Sequence, residues 1–222
     1  FMNEPFAFYQ QSADYVRARM PFEPQIAVIL GSSLGPFAEN LRAAVEIDYH
    51  DIPNFPVSTA PGHAGKLIFG ELAGKSLVCL AGRFHSYEGY DFEQLTQPVR
   101  LLKLLGVRAL IVTNAAGGVN ERYRPGDFML IADQIKLNGA SPLRGQNLDE
   151  FGPRFFDTTT MYTPRLRELA LRELARQRFG NRARGVGRAG HAHGLVHVAA
   201  ARKRVANRAA HARCRAAERL DL

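Results

Sequence analysis

The densest group of chemically capable side chains in this 222-residue sequence is Gly82-Arg83-Phe84-His85-Ser86-Tyr87-Glu88-Gly89, with Pro61-Gly62-His63-Ala64-Gly65 upstream. An arginine, two histidines, a tyrosine and a glutamate stand among glycines, just past the apolar run from Lys75 to Ala81. Arg83 offers a rigid fork of donors suited to phosphate, and His85 adds a donor whose charge changes near neutral pH. Strand ends are where α/β folds bind ligands, and glycines there let backbone approach a ligand closely. Taken singly, Arg83 or His85 reads more plainly as part of a salt-bridged polar loop.

Two further strand exits carry small residues. Ile26-Ala27-Val28-Ile29-Leu30 runs into Gly31-Ser32-Ser33-Leu34-Gly35, after which a helix is predicted. Loop N–H groups, a hydroxyl and a helix N-terminus together can cradle an anion, although such loops also serve as tight turns. The loop is neither a dinucleotide fingerprint nor a P-loop, since no Lys-Ser/Thr follows. Ala109 to Thr113 is a buried strand delivering Asn114-Ala115-Ala116-Gly117-Gly118.

The elements that must position these loops alternate. Helices are predicted over Phe6 to Met20, with Phe6, Tyr9, Ala13 and Val16 on one face, over Phe92 to Leu105, stopped by Gly106, and from Thr163-Pro164 to about Arg178 with Leu166, Leu169 and Leu174 inward. Strands are predicted over Ala44 to Tyr49, Lys66 to Leu72, Lys75 to Ala81 and Asp127 to Ile135, the middle two joined through Ala73-Gly74. The alternation indicates an α/β fold in which several strand-end loops meet in one site.

Composition separates two regimes. Residues 1–180 carry 19 basic and 19 acidic side chains, so the net charge of +8 falls wholly in residues 181–222, which hold 10 basic and 2 acidic ones. That tail also holds 12 alanines and 4 of the 7 histidines, and it is too poor in large apolar residues to offset its ordering entropy unaided. A clustered basic segment can bind nucleic acid non-specifically, but this one lacks interleaved aromatics for base stacking. The two cysteines, Cys79 and Cys214, make no disulfide framework or metal site by themselves. No apolar run approaches the roughly 20 residues a membrane span needs. The first residues show no basic region followed by an apolar stretch, so no signal peptide and a cytoplasmic location are expected.

The sequence resembles the trimeric purine nucleoside phosphorylases that act on inosine and guanosine. The resemblance rests on Gly31-Ser32-Ser33-Leu34-Gly35, Ile52-Pro53-Asn54-Phe55-Pro56, Pro61-Gly62-His63-Ala64-Gly65, Gly82 to Gly89, Thr113-Asn114-Ala115-Ala116-Gly117-Gly118 and Asn138-Gly139 with Pro142-Leu143-Arg144-Gly145. These come in the family's order over about residues 5–180. The methylthioadenosine phosphorylases are similar and rank second. A catalytically dead relative that still binds phosphate, with a nucleic-acid-binding tail, is a further alternative. The resemblance implies one nucleoside phosphorylase domain, a central mixed β-sheet flanked by helices. It also implies phosphorolysis of purine ribo- and 2′-deoxyribonucleosides to free base and pentose 1-phosphate, a homotrimer, and no metal or organic cofactor beyond phosphate as co-substrate. It places Ser32, His63, Arg83, His85 and the backbone at Ala115 around phosphate, with Arg83, His85 and Glu88 catalytic and Glu88 near His63, orienting it. Tyr87 would contact the ribose, and Phe155 would reach a neighbouring subunit's ribose pocket.

The family's purine-gripping stretches are not found in residues 181–222. Shifted by one base, codons available to Arg204-Val205-Ala206-Asn207-Arg208-Ala209-Ala210-His211-Ala212 can spell Glu-Ser-Pro-Thr-Glu-Leu-Arg-Met-Leu, which resembles one of them. Residues from about 181 are therefore expected to be an aberrant, frameshifted tail outside the domain formed by 1–180.

Overall fold

The computed structural model describes residues 4–32, 34–59, 64–117, 120–123, 127–137, 139, 141–184 and 194–200. Its strands are β1 (Ile26–Ile29), β2 (Arg42–Asp48), β3 (Lys66–Leu72), β4 (Lys75–Ala81), β5 (Ala109–Ala115), β6 (Phe128–Leu130) and β7 (Gly194–Ala200). The helices are α1 (Phe6–Arg17), α2 (Phe92–Leu104) and α3 (Pro164–Arg184). Among the described residues the strands form one mixed sheet in the order β2-β3-β4-β1-β5-β7-β6. The α/β class and the mixed sheet flanked by helices agree with the sequence reading.

Local chemistry explains the best-defined elements. β3 and β4 close as a hairpin through Ala73 and Gly74, both at positive φ (50° and 72°), a turn whose twist matches that of the strands it joins. α2 starts at Asp91, whose side chain accepts from Gln94 N while the Gln94 side chain accepts from the Asp91 N–H. Gly106, at φ 85°, follows the helix end.

The sheet is covered on both faces around β3, β4 and β1. Leu67, Phe69, Val78 and Leu80 pack with Val16 of α1 and Leu101, Leu102 and Leu105 at the end of α2. Val28, Ile68, Leu77 and Cys79 face the other way, against Ala38 and Leu41. Strands buried on both faces read as unbroken apolar runs, which is what β1 and β4 are. Leu110, Ile111 and Val112 of β5 are only half-buried.

β1 lies parallel to both β4 and β5, with Ile29 opposite Leu80 and Val112. The C-terminal ends of three adjacent strands therefore open at one sheet edge. β3, antiparallel to β4, begins at that edge, where Gly65 N donates to Ala81 O at 2.9 Å.

Three expectations need correction. The glycine loop after β1 leads into a six-residue 3-10 helix, Gly35–Asn40, because Leu41 is drawn into the core and β2 starts one residue later. The strand expected over Asp127 to Ile135 is only Phe128–Leu130, because its pairing with β7 ends there, and Ile135 is exposed. Leu169 on α3 is exposed rather than inward, while Leu166 is half-buried. Beyond residue 180, among the described residues, α3 continues to Arg184 and β7 inserts between β5 and β6. The inserted strand lies in the charge-free window between Arg188 and Arg202, where β-branched Val196 and Val198 favour extended backbone.

Candidate active site

The Arg83 segment leaves β4 as extended chain fixed from beneath. Phe84 is buried among Tyr49, Phe55 and Tyr90, with ring centroids 5.5 to 5.7 Å away. Extended backbone alternates its side chains, so burying Phe84 sends Arg83 and His85 to the opposite side. The buried Tyr49 hydroxyl donates to Gly82 O at 2.8 Å and pins the point where the chain departs from the strand. Burial pushes the Tyr49 phenol well above its ordinary pKa, so it remains a donor.

His85 sits between a base and a cation. Its Nδ1 lies 2.6 Å from Glu88 Oε1, and Arg83 Nε–H donates to its Nε2 at 3.1 Å. An imidazole nitrogen that accepts from a guanidinium carries no proton, so Nδ1 holds the proton and donates it to Glu88. The Tyr87 ring stacks on His85, centroids 4.6 Å apart and planes 15° apart, and is itself 76% exposed. Arg83 Nη1 donates to Thr113 O at 3.2 Å. Burial pulls the Arg83 guanidinium below its ordinary pKa, with the neighbouring Tyr87 acting the other way, yet a guanidinium stays charged at any working pH.

The Glu88 side chain is only 3% exposed. Burial alone would raise its pKa, but four hydrogen bonds overcome this and bring it down to about 2. Thr59 contributes its N–H and its hydroxyl to Oε2, both at 2.7 Å, and His85 contributes its N–H at 2.9 Å and Nδ1 to Oε1. The Thr59 anchor was not legible in the sequence. It lies 29 residues from Glu88, and no motif links the two.

The other limbs converge from β1 and β5. Ser32 is exposed in the loop beyond β1, and Ala115 ends β5, also exposed. Gly31 N donates to Thr113 Oγ1 at 2.8 Å, and Thr113 Oγ1 donates to Ile29 O at 2.9 Å. A Cβ on Gly31 would stand 2.6 Å from Thr113 O, so only glycine allows this approach of backbone to backbone. Thr113 opens the Thr113-Asn114-Ala115-Ala116-Gly117-Gly118 stretch, but its bridging side chain has no sequence signal of its own.

The structure thus brings Arg83, His85, Tyr87 and Glu88 into one cluster and places the Ser32 and Ala115 segments on the neighbouring strand ends. His63 lies outside the described residues. Among the described residues Glu88 is held by His85 and Thr59, and its expected contact with His63 lies outside them. Phe155 stands apart from the cluster's contacts and is 89% exposed. Its segment is tied down just before it: Phe151 packs edge-on against Phe6 and Tyr9 of α1, and Lys103 Nζ donates to Phe151 O. The cluster offers a cation, a neutral imidazole and a fixed carboxylate at a parallel-strand exit, an arrangement that can hold a multiply charged anion and manage one proton. Among the described residues no three His, Cys, Asp or Glu side chains stand close enough to hold a metal ion.

The model of the phosphorylase superfamily matches residues 25–214. The chain belongs to the phosphorylase superfamily. Among curated relatives, purine nucleoside phosphorylase 1 of Geobacillus stearothermophilus is 53% identical over 161 residues, 72% of this chain and 59% of that protein. Purine nucleoside phosphorylase of Bos taurus is 49% identical over 165 residues, 73% and 57% of the two chains. A solved Schistosoma mansoni purine nucleoside phosphorylase in complex with a monocyclic inhibitor superposes with a TM-score of 0.71 at 35% identity, over 82% of this chain and 68% of that one. The chain spans under three-fifths of the length of the curated relatives it matches. Among the described residues no helix is long and apolar enough to cross a membrane.

Proposed function

We propose that this fold serves a purine nucleoside phosphorylase, which cleaves purine ribo- and 2′-deoxyribonucleosides with inorganic phosphate to yield free base and pentose 1-phosphate. The observation that carries the reading is the convergence of the Ser32 loop, the Arg83–His85–Glu88 cluster and the Ala115 strand end at one edge of three adjacent parallel strands. Similarity to purine nucleoside phosphorylases on both sequence and structure supports it.

In this reading phosphate is held by Arg83, His85, the Ser32 hydroxyl and the backbone at Ala115, with His63 alongside. A phosphate oxygen forms a bond to C1′ as the bond from C1′ to the purine nitrogen breaks, and the base leaves with the electron pair. Positive character grows on the sugar in such a transition state, as in glycoside cleavage, and a phosphate dianion held beneath it is stabilising. Glu88 keeps His85 oriented. When phosphate enters as its monoanion, the Nε2 now facing Arg83 can take the phosphate's proton and hold it in a hydrogen bond to the same oxygen, leaving the dianion bound. Tyr87 lies against the ribose. Phe155, exposed on an anchored segment, enters a neighbouring subunit's ribose site in a homotrimer. Phosphate is a co-substrate, no metal or organic cofactor takes part, and the protein works in the cytoplasm.

The test is phosphate-dependent release of hypoxanthine from inosine by the purified 222-residue chain, with its intact mass measured on the same sample. Turnover at the expected mass supports the full reading. Absence of turnover together with retained phosphate binding would reduce the chain to a phosphate-binding relative.

A further inference from the structure

We propose that Thr113 is a positioning residue that couples two limbs of the phosphate site, the loop after β1 and the arginine after β4. The inference rests on the reading of that site as one for phosphate. Thr113 is a buried polar residue, 7% exposed, near the end of β5, the strand next to β1 on the side away from β4. The last backbone-paired residues of β1 and β5 are Ile29 and Val112. One step further on, the Thr113 hydroxyl takes over: it accepts from Gly31 N at 2.8 Å and donates to Ile29 O at 2.9 Å. Both functions of the hydroxyl are therefore committed to holding the Gly31-Ser32 turn against β5.

The same residue's carbonyl oxygen receives Arg83 Nη1 at 3.2 Å. That oxygen is also the atom a Cβ on Gly31 would strike at 2.6 Å. The turn that presents Ser32 and the guanidinium thus bear on one peptide group. Any displacement of the turn is transmitted to the acceptor that aims Arg83. A valine at 113 fills the same volume but leaves the Gly31 N–H and the Ile29 C=O without their partner. A serine keeps the hydroxyl.

The experiment uses the full chain and inorganic phosphate as the probe. Isothermal titration compares wild type, Thr113→Val, Thr113→Ser and Val16→Ala. The last variant empties a core position on α1 far from the strand ends and controls for stability alone. The expected result is phosphate affinity about tenfold or more weaker in Thr113→Val and near wild type in Thr113→Ser. Val16→Ala should lower the urea midpoint with affinity unchanged. Equal phosphate affinity in Thr113→Val and wild type overturns the inference and leaves the phosphate reading standing. Absence of phosphate binding in wild type overturns the phosphate reading. In that event amide exchange still decides the coupling: Thr113→Val should speed exchange in both the 30–35 and 82–86 peptides. Faster exchange confined to the first peptide would overturn it.

Discussion

Glu88 holds His85 twice through one oxygen: Oε1 receives the His85 backbone N–H at 2.9 Å and its Nδ1 at 2.6 Å. The carboxylate therefore sets both where the residue sits and which ring nitrogen carries the proton. With Nδ1 committed, Nε2 is the nitrogen left to face Arg83 and an incoming anion.

Replacing Glu88 with glutamine keeps the shape but removes the charge that His85 and Thr59 hydrogen-bond. Hydrogen bonds to charged groups are worth about 1.5–3 kcal/mol each, so Glu88→Gln should weaken phosphate binding at least tenfold at neutral pH. Titration calorimetry with phosphate would check this, and unchanged affinity would remove Glu88 from any positioning role.

Acid stability should carry the same signature. Glu88 titrates at about 2 in the fold against an ordinary carboxyl value of 4.5. The folded pKa is depressed, so its contribution is full above the unfolded value and is lost as pH falls from 4.5 toward 2. Urea midpoints of wild type and Glu88→Gln measured from pH 6 to pH 3 should converge as the pH drops. Parallel curves would show that Glu88 contributes nothing pH-dependent.

Thr59→Val deletes one of the two bonds to Glu88 Oε2 while keeping the backbone N–H. We expect the Glu88 pKa to move up toward the usual carboxylate range and phosphate affinity to fall several-fold. Carboxyl chemical shifts followed across acid pH would report the first effect directly.

At the foot of the loop, Tyr49→Phe leaves the buried Gly82 carbonyl without its donor, which costs about 1–3 kcal/mol. Chemical denaturation should register that loss. Because Gly82 precedes Arg83, phosphate affinity should fall with it. A destabilised variant with full affinity would show that the Arg83 segment does not depend on this anchor.

Gly31→Ala tests the closest backbone approach in the site. The added methyl meets Thr113 O at 2.6 Å, and forced overpacking of this kind costs about 1–3 kcal/mol. The predicted outcome is a marked loss of phosphate affinity with the secondary structure intact by circular dichroism.

Much of this was legible in the residues themselves. Apolar runs bounded by glycines located β1, β3, β4 and β5, and the Ala73-Gly74 turn set the β3–β4 hairpin to the residue. The Arg83–Glu88 cluster was visible because all its members lie within one short loop. Thr59 and Thr113 were not, because a threonine bridging distant strands looks locally like any β-former. β6 was overestimated because an apolar pattern gives the length a strand can have, not the length its neighbour will pair. β7 was missed because the arginines and histidines around it dominate the composition, while the charge-free stretch that pairs is only part of a tail.

The strand order also sets a timetable for assembly. β3 and β4 meet across a two-residue turn, whereas β1 must find β5 with Ile26 opposite Ala109. Hairpins form in about 1–10 μs, and pairings of large sequence separation come later because loop-closure entropy precedes any contact. The Arg83 arm is delivered by the early hairpin and waits for the Thr113 carbonyl to arrive on β5. Anion affinity should thus emerge in the last kinetic phase of refolding, making a phosphate-responsive probe a reporter of completed parallel pairing.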